Sequence, residues 1–379
     1  MSTFDRYILW MFIRVLAISF LSLTGLFIII DLFGNLTEFI SYAEKQGSLL
    51  SVLWDYYGAR VLSFVDRTSG LLALLAAIFT ITALQRSNEL TALMAAGISK
   101  ARAVRGLVLA TAVVAAFAAA NREFGLPRVR DKLSRNAQNW LGKTAERMTA
   151  QRDYSTHILL GGRETIAADK KIIQPVFRLL DSPPGFGRQL VADQASYRQA
   201  SNDHPSGYLL DGVSQPKDVS EIPSYPQSPE RARIIFTPKD CGWLESRQCF
   251  VASDITFEQL VADRSYQQYY STAALLRTLR NPSLDYGANT RVIVHQRFVQ
   301  PILDVTLLFL GLPLVLTRTQ RNIFIAAAQC LLLVGAFFLV SLACQSMGNA
   351  VMISPALAAW LPVLIFVPLA YNMAIRRWE

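Results

Sequence analysis

A few side chains in this sequence have the type and the setting to do chemistry. Asp66, Arg67 and Asp304 sit inside long apolar runs, Glu89 lies in a short loop between two such runs, and Cys241 and Cys249 stand close together in a polar stretch. An ionisable group at membrane depth is costly and normally faces a partner or a wet cavity. Adjacent helical residues do not face each other, so Asp66 and Arg67 need separate partners. One reading is an Arg67–Asp304 pair; another leaves Arg67 open to an anionic substrate. A simpler reading makes Asp66 and Arg67 the start of a helix near Gly70. The cysteines enclose GWLESRQ, a spacing open to a disulfide on an oxidising side of a membrane or to two buried free thiols.

Other chemistries find no footing. His157, His204 and His295 are isolated and lack metal-ligand spacing. His204, beside Pro205 in a turn-rich stretch, reads as a surface loop residue. No G-x-x-x-x-G-K-S/T motif occurs, so nucleotide binding of that kind is not expected, and no serine or cysteine nucleophile motif is present. No metal or cofactor is expected on this chain.

Glu89 belongs to RSNELTALMAAGISKARAVR, residues 86–105. Ser87 is a good N-cap, and a carboxylate in the first turn sits at the positive end of the helix dipole. Gly97 supplies a C-terminal stop. The spacing predicts a helix of about nine residues between them. Leu90, Leu93 and Met94 share one face, with Glu89, Ala92 and Ala96 forming a small-residue face beside it. Nothing there looks catalytic; it is a short ridge for another protein to grip.

The elements that hold these residues follow from hydropathy. The chain has 379 residues, 52% hydrophobic and only 17% charged, with mean hydropathy +0.29. Soluble proteins carry about a quarter charged residues. Here the deficit is confined to apolar runs at both ends, the pattern of an integral membrane protein with a polar insert. The net charge of +9 is not organised into a basic stripe with aromatics, so nucleic acid is not an expected partner. Spans are expected near 8–30, 61–84, 103–120, 296–317, 323–345 and 355–375. The first is too long for a signal peptide and lacks a small-residue cleavage site. Residues 31–60 read as a loop.

Within the insert, short β-type runs such as KIIQPVFRLL, GYLLDGV and CFVASDITF alternate with Gly/Pro/Asp clusters. That texture predicts an all-β sandwich or open jelly-roll. The expected division is 1–125 for three transmembrane helices with a loop helix near 88–97, 126–295 for the β-domain, and 296–379 for three more helices. Arg6, Arg86, Lys100, Arg102, Arg105, Arg318, Arg321, Arg376 and Arg377 all fall on one side of these spans. By the positive-inside rule that side, with both termini and the Glu89 loop, is cytoplasmic, and the β-domain is outside.

The sequence resembles the LptF/LptG (YjgP/YjgQ) permease family over its whole length. The resemblance rests on DRYI at 5–8, NELTALMAAGIS at 88–99, NREFGLPRVRDKL at 121–133, QLVADQASYR and GYLLDGV in the insert, and VHQRFVQPILDVTLLFLGLPLVL at 294–316. It implies six transmembrane helices in a three-plus-three arrangement, with an inserted periplasmic β-jellyroll, in the cell inner membrane. It also implies that Asn88–Ser99 is a coupling helix gripped by a separate LptB-like ATPase, with Glu89, Leu90, Leu93, Met94 and Gly97 forming the contact. ATP and Mg would belong to that partner. A second permease half, LptC/LptA-like bridge proteins and lipopolysaccharide are the other implied partners.

The reading is therefore one permease half of an ABC-type transporter that extracts lipopolysaccharide or a similar anionic lipid. Arg67, Asp66 and Asp304 are its candidate cavity residues. Two rivals stand beside it: a mechanotransmission subunit that moves an outside domain without carrying lipid, and a membrane enzyme that modifies envelope lipids.

Overall fold

The structure is a computed structural model, and it describes residues 3–133, 145–180, 182–201, 204–226, 232–261, 264–284, 287–316 and 323–378. Two compact units emerge, one built from the two ends of the chain with residues 269–272, the other from residues 134–268 and 273–286.

The first unit is helical. In chain order come α1 (Thr3–Gly34), α2 (Leu36–Gln46), α3 (Leu49–Arg86), α4 (Glu89–Ala95) and α5 (Lys100–Ala120). A π-helical turn (Asn121–Gly125) joins α5 to α6 (Leu126–Leu133). Among the described residues, six helical segments are long and apolar enough to cross a membrane. Three precede the β region; the other three are α9 (Gly287–Leu316), α10 (Ile323–Asn349) and α11 (Pro355–Trp378).

The expected loop at 31–60 is a correction: its residues form α2 and the first turns of α3. Leu36–Gln46 places Phe39 and Tyr42 on one face, and both are buried along with Val52 and Tyr56 of α3. Gly47, at φ +83, makes the left-handed turn that α2 and α3 need between them. Tyr57 donates to Asp31 Oδ2 at 2.9 Å, tying α3 to the end of α1.

The bundle is centred on α9, where 67% of the apolar stretch is buried, against 6% for α1. Leu308, Leu310 and Leu312 of α9 meet Leu74 and Ile81 of α3 and Leu107 of α5 in one core. Close approach of α3 and α9 depends on small residues. A side chain at Gly311 would run into Leu74, and one at Gly70 into the carboxylate of Asp304.

The second unit is built on antiparallel strands. These are β1 (Glu146–Arg147), β2 (Gln151–Arg152), β3 (Ile158–Leu160), β4 (Gly162–Ile166), β5 (Lys171–Leu179), β6 (Gln189–Val191), β7 (Gln194–Arg198), β8 (Gly207–Asp211), β9 (Ile235–Phe236) and β10 (Gln248–Ala252). The main sheet runs β1-β4-β5-β7-β8-β10-β9. Strand β5 turns the corner. Its first half, Lys171–Ile173, pairs with β7, while Val176–Arg178 pairs with β6 and Ile158 and Leu159 of β3 meet its far end. Between the halves Gln174 sits at φ +46, ahead of Pro175, which cannot donate to a ladder. One strand thereby serves two sheets and folds them over a common core of Phe177, Leu190, Tyr208, Leu210 and Val251. Short helices α7 (Phe257–Val261) and α8 (Thr272–Leu279) follow.

Candidate functional site

Two places in the helical unit gather polar groups that the apolar pattern would not require. The first is the turn around α4. This helix has seven residues, Glu89–Ala95, rather than nine, and Glu89 is its first residue. The expected Ser87 cap is not made. Helix α3 runs on to Arg86, so the Ser87 hydroxyl is spent on the α3 carbonyl of Ala83 at 3.1 Å. The reversal falls to Asn88 at φ +58, a left-handed position that Asn tolerates.

The C-terminal stop is as expected. Gly97 at φ +82 lets its own N–H reach the carbonyl of Met94 while the N–H of Ile98 reaches that of Leu93, both at 3.0 Å. The ridge thus has a left-handed residue at each end, and Ser99 starts α5 by accepting from the N–H of Arg102.

Glu89 is half-buried and accepts from the Tyr7 hydroxyl of α1 at 3.3 Å. Leu90 is no part of an outward face. It is buried in the bundle core and anchors α4 there, whereas Ala92, Met94 and Ala96 are exposed and Leu93 is partly so.

The second place is the π-helical turn after α5. Three consecutive side chains each find a different partner. Asn121 donates to the carbonyl of Leu62 at 2.9 Å, and Arg122 pairs with Asp66 at 2.8 Å. Glu123 accepts from the backbone N–H of Thr272 at 2.9 Å and from its hydroxyl. Arg297 of α9, itself buried, donates to Thr272 Oγ1 at 3.2 Å and pairs with Glu123 at 3.5 Å.

This arrangement corrects two expectations. Asp66 and Arg67 lie in the middle of α3, so they do not mark a helix start near Gly70. The Arg67–Asp304 pair is not formed either. Arg67 is exposed and donates to the Tyr269 hydroxyl at 3.3 Å, while Asp304 accepts from Gln300, one turn back on α9, at 2.9 Å and packs on Gly70. Nothing in the hydropathy of the sequence singles out Arg122, Glu123 and Arg297, because they stand at the ends of apolar runs, just after the span expected at 103–120 and at the start of the one expected at 296–317. The signal was there in NREFG, where three polar residues directly follow an alanine-rich span.

In the β unit the structure has the second of the two cysteine arrangements, with Cys241 and Cys249 both buried free thiols. Cys249 belongs to the main core with Val251, whereas Cys241 packs with Leu244 against Phe250. Side chains at 249 and 250 alternate across β10, so Cys249 faces the main core while Cys241 packs with Phe250 of the other face. Burial pushes the Cys249 thiol up to about 12. His204 lies in a loop and is partly exposed, its ring lying 4.9 Å from Phe250 and 5.1 Å from Trp243. No group of three or more His, Cys, Asp or Glu side chains with metal-binding geometry occurs among the described residues. Arg318 and Arg321 of the expected basic loop lie outside the described residues.

Six apolar helices and an antiparallel β unit inserted between the third and fourth spans define a multi-pass membrane protein. The sequence model of the lipopolysaccharide export system permease LptF/LptG matches residues 6–376, essentially the whole chain. The chain belongs to that family, and its role is that of a lipopolysaccharide export permease. Comparison with curated proteins gives no match.

Proposed function

We propose that this chain is one half of an ABC-type extractor of lipopolysaccharide or a similar anionic lipid in the inner membrane. A separate ATPase, carrying ATP and Mg, would drive it through the α4 ridge. The second half of the membrane channel would be a paralogue or another copy, and the β unit would hand lipid to periplasmic bridge proteins. Placement of the basic termini and the α4 ridge in the cytoplasm rests on the positive-inside pattern. In the cavity, exposed Arg67 would meet lipid phosphate, with Asp66 and Asp304 shaping its surroundings. Differential affinity of two cavity states for lipid is the free energy that such a cycle needs.

The observation that carries this reading is the α4 ridge itself. It is a rigid seven-residue helix between two spans, stopped by left-handed residues at both ends. A half-buried carboxylate stands at its positive end, beside a small exposed face. Glu89 there invites an Arg or Lys of the ATPase in a charge-assisted contact desolvated on docking. Stabilising the helix start alone would be worth only about 0.3–1 kcal/mol.

Glu89→Gln should fold and express normally yet weaken ATPase binding. Glu89→Lys should do more damage, because it sets a cation at the positive helix end and opposite a basic partner. An acidic substitution on the ATPase should restore part of the activity. A Glu89→Lys chain that assembles with its ATPase and exports lipid at the wild-type rate would refute this assignment.

A further inference from the structure

Residues 269–272 belong to the helical unit, although the chain on both sides of them belongs to the β unit. They are held by side chains from four elements of the bundle. Arg67 of α3 donates to the Tyr269 hydroxyl at 3.3 Å. Arg130 of α6 lies over the Tyr270 ring, 5.1 Å from its centroid. Glu123 of the π-helical turn takes both the backbone N–H and the hydroxyl of Thr272, and Arg297 of α9 donates to the Thr272 hydroxyl oxygen and pairs with the Glu123 carboxylate.

The chemistry at Thr272 is the strongest part of this set. Arg297 is 8% exposed, and a buried guanidinium is stable only with its charge answered. Glu123 answers it while also satisfying a backbone donor, so removing Glu123 takes an ion-pair partner from a buried cation. A π-helical turn places Glu123 there, and such turns are rare and concentrate at functional positions. An ordinary chain crossing needs no such set of contacts: three of four consecutive residues are gripped by three cations and a carboxylate from four elements.

We infer that Glu123 and Arg297 are positioning residues that latch the strap 269–272 to the bundle, so that the strap moves as one body with α9 and the π-helical turn throughout the transport cycle. The latch is then the fixed point from which bundle motion passes along the chain into residues 273–286. The functional part of this inference rests on the transport reading above; the mechanical part does not.

Two measurements test it on the full chain assembled with its ATPase. Spin labels at Ser271 and at exposed Ala116 of α5 report the strap-to-bundle distance in lipid nanodiscs. The wild type should give one narrow distribution, unchanged between nucleotide-free and ATP-bound states, and Glu123→Ala should broaden it. A wild-type distance that shifts with nucleotide would overturn the latch, whatever the cargo.

The second measurement separates coupling from folding. Glu123→Ala or Arg297→Ala should cut lipid release by about tenfold, within the usual range of coupling between sites, while ATP hydrolysis changes by less than about twofold. Cross-linking Glu123→Cys to Thr272→Cys should restore release, and reductant should remove it again. Equal loss of release and hydrolysis, or a cross-link that blocks release, would contradict the latch. If the wild type releases no lipid, the transport reading fails, and the distance measurement alone decides the latch.

Discussion

The helical unit and the β unit solve opposite burial problems. In the bundle the outside is apolar: Leu21, Phe33, Leu331 and Leu339 are each more than two-thirds exposed, while Arg297 and Asp304 are buried. In the β unit Phe177, Leu190, Tyr208 and Phe250 are fully buried, and most charges lie outside. Both interiors are apolar, but only the bundle also carries an apolar outside and buries charged groups. Hydrophobic burial drives the β core, whereas helices in lipid gain little from hiding leucine and must associate through packing and polar contacts. The close seats at Gly70 and Gly311 and the pair Arg122–Asp66 are what such an association needs.

That contrast breaks most visibly in substitutions that remove core volume. Phe177→Ala should cost the β unit about 3–5 kcal/mol by the cavity it leaves, read as early loss of β signal in thermal unfolding of the detergent-solubilised chain. If the bundle obeys the other rule, charge should matter there more than volume. Asp66→Asn leaves Arg122 without its ion pair and should cost about 2–3 kcal/mol, below the fully buried case because both side chains keep some exposure. A bundle that tolerates Asp66→Asn but not loss of a single core methyl would erase the distinction.

A smaller effect sharpens the same contrast from the β side. The Cys249 thiol has its pKa raised by burial, so the folded chain keeps the proton that the unfolded chain releases. Its contribution is therefore fully present below the ordinary thiol value and is lost as pH rises from about 9 toward 12. Between pH 9 and 10 this group should lower stability by about 1 kcal/mol, and Cys249→Ala should flatten the slope. Iodoacetamide should modify Cys249 only on unfolding; rapid alkylation in the folded protein would show that the core admits water.

Much of the fold was legible because hydropathy and turn chemistry are local. The six apolar runs, the β texture and the Gly97 stop are each written within a few residues of where they act. What escaped was set by distance. Nothing near Leu36 announces that its segment folds back as a helix against Val52 and Tyr56. Nothing in NREFG names Asp66, Thr272 or Arg297 as its partners, since these lie far off in sequence and meet only in the packed bundle. Ser87 fails as a cap because α3 runs up to it and takes its hydroxyl, a case of context overriding a local signal. Cys241 and Cys249 are near enough in sequence to suggest a bridge, yet they pack in different clusters. For Glu89 the sequence showed the ridge and its carboxylate, but not the Tyr7 hydroxyl that holds it.

The central claim is that this chain takes a lipid out of the membrane. The most direct test reconstitutes it with its ATPase, the second permease half and the bridge protein in vesicles containing fluorescent lipopolysaccharide. The account predicts ATP-dependent transfer of the label to the bridge protein, absent without this chain and strongly reduced by Glu89→Lys. ATP hydrolysis that moves the β unit while all label stays in the vesicles would contradict it.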